Sequence, residues 1–367
     1  MKQQPLYEMI YREILGGIED GSYGPGDRIP SEKELSEKYR VSRITSKKAL
    51  EMLAEEGKII RMAGKGSFVA GKERRGEWEK DSRAGRAKKL VGVIMDGFGP
   101  SFGCELLVNL ELECRRQGFL MLLRCTNGNM EEEVRALDEL LSAGADGILI
   151  MCVHDENYNS RVLRLVVEHF PVVTLDRQLK GIPVPFVGTD NEAAAKELAD
   201  WLLDRGFHSI CLATHFSRDT STIEERQNGL RRACHDRGMI ADESLWITDL
   251  CATLPGSRSE ENRERDAEHI MDFLERHPQI DSFFAVEYGI AEMIYRCLCV
   301  KKLQDRYPVV CFDSPGDVMP GRTFTHVRQD EKTIGETGVR LLAEAMEKKE
   351  APKKVLVPYR IVEAEKR

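Results

Sequence analysis

The stretch that most constrains this chain is residues 24–69, because it carries the end signals of two short helices separated by a tight turn. Ser31 and Glu34 have the spacing of a capping box, in which each side chain accepts a hydrogen bond from the other residue's backbone. Ser42 is suited to cap a second helix and Gly57 to end it. Two helices joined by so short a turn predict a helix-turn-helix.

The first turn of the second helix has the side chains that such a motif needs. In a helix-turn-helix that turn lies against the major groove of DNA, where hydroxyl, guanidinium and ammonium donors meet base edges and phosphates. The donors here are Ser42, Arg43, Thr45, Ser46, Lys47 and Lys48. The alternative for residues 31–56 is an ordinary helical hairpin with a solvated charged face.

Two short apolar runs follow the second helix and predict a β-hairpin. They span residues 59–62 and 67–69, and the turn between them reads Ala-Gly-Lys-Gly. Its glycines allow a close approach of the backbone to a sugar-phosphate edge, and Lys65 supplies charge. The hairpin predicts a DNA-contacting wing. Because it coincides with the caps and the basic turn, it disfavours the plain helical hairpin.

These features together resemble the winged helix-turn-helix of the GntR family of bacterial transcription regulators, over roughly residues 5–70. The motifs that carry the resemblance are Pro30-Ser31-Glu32, Val41-Ser42-Arg43, Glu56-Gly57, Gly64-Lys65-Gly66 and Phe68-Val69. The resemblance implies DNA contacts by Lys33, Arg43, Thr45, Lys47 and Gly64, and the residue pattern adds Ser42, Lys65 and Gly66. The chain departs from the family at Ser46, usually valine, and at Lys47, usually arginine. Lysine cannot form arginine's bidentate fork to guanine.

The charge of the chain is divided unevenly. Residues 1–89 carry 20 basic and 15 acidic side chains, net +5, whereas residues 90–367 carry 34 basic and 47 acidic ones, net -13. Only the first part is suited to a polyanion. We therefore divide the chain into a DNA-binding domain at 1–70, a charged, glycine-containing linker at 71–88, and an effector-binding and dimerisation domain at 89–367.

The spacing of the cysteines and the length of the apolar runs indicate in which cellular compartment the protein is expected. The ten cysteines are scattered without a CxxC pair, which favours reduced thiols over a disulfide or metal site. No apolar run reaches membrane-spanning length, and the first residues contain no signal core. We expect a soluble cytoplasmic protein with no metal and no cofactor.

From residue 89 onward, short β-rich runs alternate with amphipathic helical segments in steps of about 25 to 30 residues. This alternation predicts an α/β fold with parallel sheets covered on both faces. The strands are too many for one small sheet, so we predict two doubly wound lobes. Open α/β lobes bind ligands at the carboxyl ends of their strands.

Polar residues stand where these strands are predicted to end. They are Asp96, His154, Asp155, Asp176, Arg177, Asp190, Glu287 and Asp313, with the aromatic residues Phe98 and Phe102 beside the first strand. Carboxylates accept paired hydroxyl groups and a ring offers a flat face, so the set predicts a site for a polyhydroxylated ligand. Each aspartate taken singly is more often a helix cap or a turn former.

Residues 89–364 resemble the effector domain of the LacI family, which is similar to periplasmic sugar-binding proteins. The motifs that carry this resemblance are Leu90-Val91-Gly92-Val93, Leu175-Asp176-Arg177, Gly188-Thr189-Asp190-Asn191 and Cys311-Phe312-Asp313. The resemblance implies that Asp96, Asp176, Arg226, Glu287 and Asp313 face the ligand. Glu287 and Tyr288 replace a usual Asn-Asp pair. A GntR-type reader joined to a LacI-type domain resembles the AraR-type arabinose repressors.

The resemblance to these repressors implies a homodimeric repressor of carbohydrate-utilisation genes, released from a palindromic operator by a sugar such as L-arabinose or a relative. The alternatives are a non-sugar effector, a domain used only for dimerisation, and an enzyme with a fused DNA-binding domain. The loop at 97–103 resembles the G-x-G-x-x-G loop of dinucleotide-binding proteins. Its last glycine, however, comes one residue late, and no acidic residue stands at the end of the second strand. An aminotransferase domain would need a cofactor lysine and a longer segment than residues 89–367. We therefore predict no catalytic residues.

Overall fold

The fold is that of a computed structural model, which describes residues 6–62, 65–70, 88–153, 159–216, 220–315, 324–349 and 354–364. Gly64, His154 and Asp155 lie outside the described residues, as does nearly all of the predicted linker at 71–88.

The N-terminal domain, here called the reader, confirms the predicted winged helix-turn-helix. Its elements are α1 (Leu6–Glu19), β1 (Arg28–Ile29), α2 (Glu32–Tyr39), α3 (Arg43–Glu55), β2 (Ile59–Met62) and β3 (Gly66–Val69). The strands form a sheet in the order β1-β3-β2. Ile10, Leu35 and Leu50 meet in its core and are almost fully buried. The sequence pattern did not predict β1, because two residues are too short to show an alternation.

The predicted caps determine where the reader's helices begin. The backbone N–H of Ser31 donates to Glu34 Oε2 at 2.7 Å, and the N–H of Glu34 donates to Ser31 Oγ at 3.2 Å, which completes the capping box. Ser42 Oγ accepts from the N–H of Thr45 at 3.2 Å. These bonds satisfy amide groups that the first turn of a helix leaves unpaired.

The wing hairpin of β2 and β3 lies between two apolar cores. Because side chains alternate along a strand, Ile59 and Val69 face the core of the reader, whereas Ile60, Met62 and Phe68 face the other way. That second face shares a buried apolar cluster with Ile148, Val162 and Val172 of the following domain. The wing therefore joins the reader to its neighbour by direct contact.

The rest of the described chain forms two lobes. The N lobe has the strand order β14-β8-β7-β6-β4-β5, and the C lobe has the order β10-β9-β11-β12-β13-β15. The N-lobe elements are β4 (Leu90–Met95), α4 (Cys104–Arg116), β5 (Leu120–Cys125), α5 (Met130–Ser142), β6 (Gly147–Ile150), α6 (Ser160–Val167), β7 (Val172–Leu175), β8 (Phe186–Thr189), α11 (Glu331–Met346) and β14 (Lys354–Val357). The C-lobe elements are α7 (Asn191–Leu203), β9 (Ile210–His215), α8 (Ser221–Asp236), a short 3-10 turn (Glu243–Leu245), β10 (Ile247–Leu250), α9 (Glu260–Arg276), β11 (Ser282–Ala285), α10 (Tyr288–Val300), β12 (Val309–Phe312), β13 (Thr325–Gln329) and β15 (Tyr359–Val362). All strand pairs in the two lobes are parallel except β13 with β15.

The chain crosses between the lobes three times. It leaves the N lobe after β8 at Asp190, returns after β13 at Asp330, and leaves again after β14 at Pro358. The predicted pair of doubly wound α/β lobes is thus confirmed. The sequence pattern missed α6, β14 and β15. No helix within the described ranges is long and apolar enough to cross a membrane.

Candidate functional site

The candidate ligand site is a cleft between the two lobes, at the carboxyl ends of their parallel strands. Its volume is about 640 Å³, within the range of small-molecule sites. Asp96, Asp176 and Arg177 line it from the N lobe, and Arg226, Glu287 and Asp313 line it from the C lobe. Five residues predicted at strand ends, Asp96, Asp176, Arg177, Glu287 and Asp313, therefore lie together in one cleft, and their contact with a ligand stays a prediction.

On the N-lobe wall, Asp96 holds Arg177 in place. Asp96 Oδ2 lies 2.8 Å from Arg177 Nη1, which also donates to the carbonyl of Cys152 at 2.6 Å. Asp96 Oδ1 accepts from Thr126 Oγ1 at 3.2 Å and from the N–H of Gly128 at 2.6 Å. Asp96 is 1% exposed. It therefore acts as an anchor beneath the wall, and Arg177 presents the accessible charge.

Asp176 stands beside this pair with an incomplete set of hydrogen bonds. It adopts a left-handed backbone conformation, with φ of 61°, and its side chain is buried. Its Oδ1 has no hydrogen-bond partner. Burial raises the pKa of its carboxyl, against the opposing effect of Arg177 and Arg226. A buried acceptor without a donor costs free energy, so Asp176 is well placed to receive a ligand hydroxyl.

Arg226 of α8 forms a rigid floor in the C lobe. Its guanidinium carbon lies 3.8 Å from the ring centre of Phe312. Its Nε donates to Asn191 Oδ1 at 2.8 Å and its Nη1 to the carbonyl of Val286 at 2.5 Å. Burial lowers the pKa of Arg226, and nearby carboxylates, Asp313 first among them, oppose that effect. The stacking and the hydrogen bonds fix the direction in which the guanidinium can donate.

Asp313 and Gln329 form a second buried group with an incomplete set of hydrogen bonds. Gln329 Nε2 donates to Asp313 Oδ1 at 2.9 Å, and Gln329 Oε1 has no partner. Burial raises the pKa of Asp313 to about 7, although Arg226 and Gln329 favour its charged form. The backbone of Asp313 is also left-handed, with φ of 66°. The floor of the cleft thus presents a second buried acceptor oxygen.

His215 and Glu287 form a polar pair on the C-lobe side. His215 Nε2 lies 3.1 Å from Glu287 Oε1 and 2.9 Å from Thr253 Oγ1. Burial alone would raise the pKa of Glu287, but His215, Thr253 and Arg226 together outweigh it and the pKa is lowered. Glu287 therefore stays charged in the cleft.

Aromatic side chains lie along the same cleft. Phe98 is 44% exposed, and Phe102 and Tyr288 also line the cavity. The loop that carries Phe98 and Phe102 is fixed to α11, because Glu331 Oε2 accepts from the N–H of Gly103 at 2.7 Å. An exposed ring held on a fixed loop suits stacking against a flat ligand face.

One predicted ligand residue lies elsewhere. Asp190 caps α7, where its Oδ1 accepts from the N–H of Ala193 at 3.0 Å, and it does not line the cleft. We therefore remove Asp190 from the proposed set. The cleft also contains His215, Thr253 and Gln329, which the sequence analysis did not predict. The sequence pattern placed the ends of β9 and β13 two residues early, before His215 and Gln329, and Thr253 lies in the loop after β10.

The predicted DNA-contact residues lie on the reader as follows. Lys33, Arg43 and Lys47 are exposed, and Arg43 and Lys47 share one face of α3. Ser42 uses its hydroxyl as a helix cap, and Thr45, Lys65 and Gly66 are half-buried. Ser46 is buried and donates to the carbonyl of Glu32 at 2.9 Å, so it ties α3 to α2 and does not face DNA.

Comparison with known proteins supports both parts of this architecture. Residues 6–69 match the family of bacterial regulatory proteins, gntR family, and residues 88–307 match periplasmic binding proteins and the sugar binding domain of the LacI family. The arabinose metabolism transcriptional repressor of Geobacillus stearothermophilus is 26% identical over 63% of this chain and 62% of its own length. The chain thus matches less than two thirds of that relative.

Two solved structures share the fold. The transcription regulator CcpA of Lactococcus lactis has a TM-score of 0.66 at 20% identity, covering 76% of this chain and 98% of that chain. A complex of the transcriptional regulator CelR with cellobiose has a TM-score of 0.65 at 17% identity, covering 92% of this chain and 99% of that chain. The chain therefore belongs to the family of periplasmic binding proteins and LacI-type sugar-binding domains, and it carries a gntR-family reader ahead of that domain.

Proposed function

We propose that this protein represses carbohydrate-utilisation genes by binding an operator through its reader, and that a sugar in the cleft releases it. The observation that carries the proposal is the combination of two features in one chain. One is a helix-turn-helix with exposed basic side chains on α3. The other is a cleft whose buried acceptor oxygens lack donors. In such a chain, the binding of a ligand in the cleft can change the affinity of the reader for DNA.

The cleft suits a neutral molecule with several hydroxyl groups. Asp176 Oδ1 and Gln329 Oε1 each accept a hydroxyl hydrogen, Arg226 offers a fixed donor, and Phe98 offers a ring face. Because the Geobacillus relative is an arabinose metabolism repressor, L-arabinose is the first sugar to test. Disaccharides belong in the same panel, since the CelR structure of this fold is a cellobiose complex.

We further propose that two copies associate through the outer edge of the N lobe. The edge strand β5 exposes Leu120 and Leu122, and the neighbouring α4 exposes Val108 at 56%. An exposed apolar patch at a sheet edge is typical of a surface that pairs with another protein. A two-fold dimer would place two readers on the two halves of a palindrome.

The wing connects the cleft to the reader, so a structural change on ligand binding can reach the DNA-binding domain. Its outward face packs against the N lobe near α6, and the segment before α6 carries Cys152, whose carbonyl accepts from Arg177 in the cleft wall. A ligand that moves Arg177 would therefore change the support beneath the wing. Couplings of this kind typically amount to roughly 1 to 3 kcal/mol, which is enough to release an operator.

The ligand half of the proposal is tested by thermal shift. Full-length protein is heated with L-arabinose, other pentoses and hexoses, their phosphates, and disaccharides. We expect one sugar to raise the melting temperature, and Asp176→Ala to abolish that rise. Asp190→Ala is the matched control, because it removes a strand-end carboxylate outside the cleft. No rise with any sugar, or an equal loss in both variants, would contradict a sugar site at Asp176.

The DNA half is tested with a duplex that the parent protein selects from a random pool. Fluorescence anisotropy should show that the sugar found by thermal shift weakens binding to this duplex. A sugar that strengthens DNA binding would overturn release as the mechanism.

A further inference from the structure

We infer that Gly128 is a positioning residue for the cleft, because its missing side chain lets one turn of the N lobe rest against a loop of the C lobe. Gly128 lies in the turn between β5 and α5, and the facing loop follows β10 and carries Pro255 and Gly256. The inference rests on the proposed function, in which a ligand binds between the lobes.

The contact is made by backbone atoms on both sides. A Cβ atom built on Gly128 would lie 2.7 Å from the carbonyl oxygen of Pro255. A Cβ atom built on Gly256 would lie 3.0 Å from the carbonyl oxygen of Asn127. Each glycine thus makes room for the backbone of the other lobe, and a backbone cannot turn aside as a side chain can. Both glycines have left-handed φ angles, of 76° and 78°.

Each side of this glycine contact is tied to a wall of the cleft. The N–H of Gly128 donates to Asp96 Oδ1 at 2.6 Å, and Asp96 holds Arg177. On the other side, the facing loop itself lines the cleft from Ala252 to Pro255. Asp266 Oδ2 holds the start of this loop by accepting from the N–H groups of Cys251 and Ala252, both at 2.7 Å. The spacing of the lobes at this contact therefore fixes the spacing of the ligand groups.

Two other contacts across the lobe boundary, among the described residues, involve side chains and have more freedom. The N–H of Gln178 donates to Ser221 Oγ at 2.9 Å, and Lys180 Nζ lies 2.7 Å from Glu224 Oε2. These groups can rotate to follow a change in lobe spacing. The glycine contact cannot, so an added methyl group there must part the lobes by several tenths of an ångström.

The test uses a graded series of full-length variants. Gly128→Ala meets a carbonyl at 2.7 Å, Gly256→Ala meets one at 3.0 Å, and Gly118→Ala, at a φ of 74°, meets nothing within 4 Å. Gly118→Ala is the matched control, because it carries the same backbone strain without the contact. All three should lose similar thermal stability from that strain.

The measured quantity is the apparent dissociation constant for L-arabinose, obtained by isothermal titration. We expect Gly128→Ala to raise it roughly tenfold or more, Gly256→Ala to raise it less, and Gly118→Ala to leave it unchanged. An unchanged constant in Gly128→Ala, or an equal rise in all three variants, would overturn the inference.

A second measurement needs no sugar and separates this inference from the proposed function. Hydrogen–deuterium exchange of residues 252–258 in the ligand-free proteins should be faster in Gly128→Ala than in the parent and in Gly118→Ala. If L-arabinose fails to bind the parent, the arabinose assignment fails, and the exchange result alone then decides the inference. Equal exchange in the parent and Gly128→Ala would overturn it. If Gly128→Ala does not fold, Gly256→Ala replaces it in both measurements, again with Gly118→Ala as the control. A higher dissociation constant or faster exchange in Gly256→Ala than in Gly118→Ala would support the inference. Equal values in these two variants would overturn it.

Discussion

Replacing Asp313 by asparagine should change how the stability of this protein depends on pH. Burial raises the pKa of Asp313 from an ordinary 3.8 to about 7. A carboxyl with a higher pKa in the folded state binds its proton more tightly when folded. Its stabilising effect is therefore complete below pH 4 and is lost as the pH rises through 7. Asparagine cannot ionise, so it escapes this loss.

The size of the effect follows from the pKa difference. Each pKa unit corresponds to about 1.4 kcal/mol, and the difference is roughly three units, so ionisation of Asp313 costs up to about 4 kcal/mol. Asparagine keeps the hydrogen bond from Gln329 through its carbonyl oxygen and tolerates the φ of 66°. Relative to the parent, the variant should gain about 3 kcal/mol in free energy of unfolding between pH 5 and pH 8.

Urea unfolding followed by tryptophan fluorescence measures this gain. Trp201 and Trp246 both lie in the C lobe, so they report on the part of the molecule that holds Asp313. The other buried carboxyls, including Asp176 and Glu331, are present in both proteins, and their contributions cancel in the difference. Parallel stability curves from pH 5 to pH 8.5 would refute the reasoning, because they would show that Asp313 ionises as freely in the folded protein as in the unfolded one.

Other predictions concern the reader, the helix packing and the dimer. Arg43→Ala should weaken binding to the selected duplex by roughly 1 to 3 kcal/mol without changing the sugar affinity, and anisotropy and calorimetry measure the two. Ser31→Ala removes one half of the capping box and should lower the stability of the reader by about 1 kcal/mol in urea. Gly229→Ala places a Cβ against the carbonyl oxygen of Glu192 in α7, so overpacking should cost about 1 to 3 kcal/mol of effector-domain stability, read by the same fluorescence. Leu122→Asp should give monomers in sedimentation velocity, whereas Val300→Asp, at an apolar residue of α10 that is 74% exposed, should leave dimers intact.

Polar residues predicted at strand ends line the cleft where they have no second structural role. Asp96, Asp176 and Asp313 follow apolar strands, and all three line the cleft. Asp190 follows an apolar strand in the same way, but α7 begins at the next residue, so its carboxylate caps that helix. A strand end and a helix start coincide there, and the sequence pattern cannot distinguish a cap from a ligand group.

The remaining misses have related causes. His215 and Gln329 are buried polar residues inside strands, and polarity alone ends a strand in any pattern-based prediction. The helix α6 has only eight residues, five of them buried, which is shorter than the roughly ten to twelve residues on which a sequence-based helix prediction relies. The contact of Gly128 with the C lobe depends on how two loops distant in sequence meet, which no local signal encodes.

The three crossings between the lobes also affect how the chain folds as it is synthesised. The reader is complete after β3, so it can fold while the lobes are still being made. Neither lobe can complete its fold before residues 354–362 have been synthesised. These residues contain β14, the edge strand of one sheet, and β15, the edge strand of the other. The C lobe interrupts the N lobe in the chain, so a single proteolytic cut cannot separate them. We expect the lobes to unfold in one cooperative step, and a chain that stops before Lys354 to lose an edge strand from both at once.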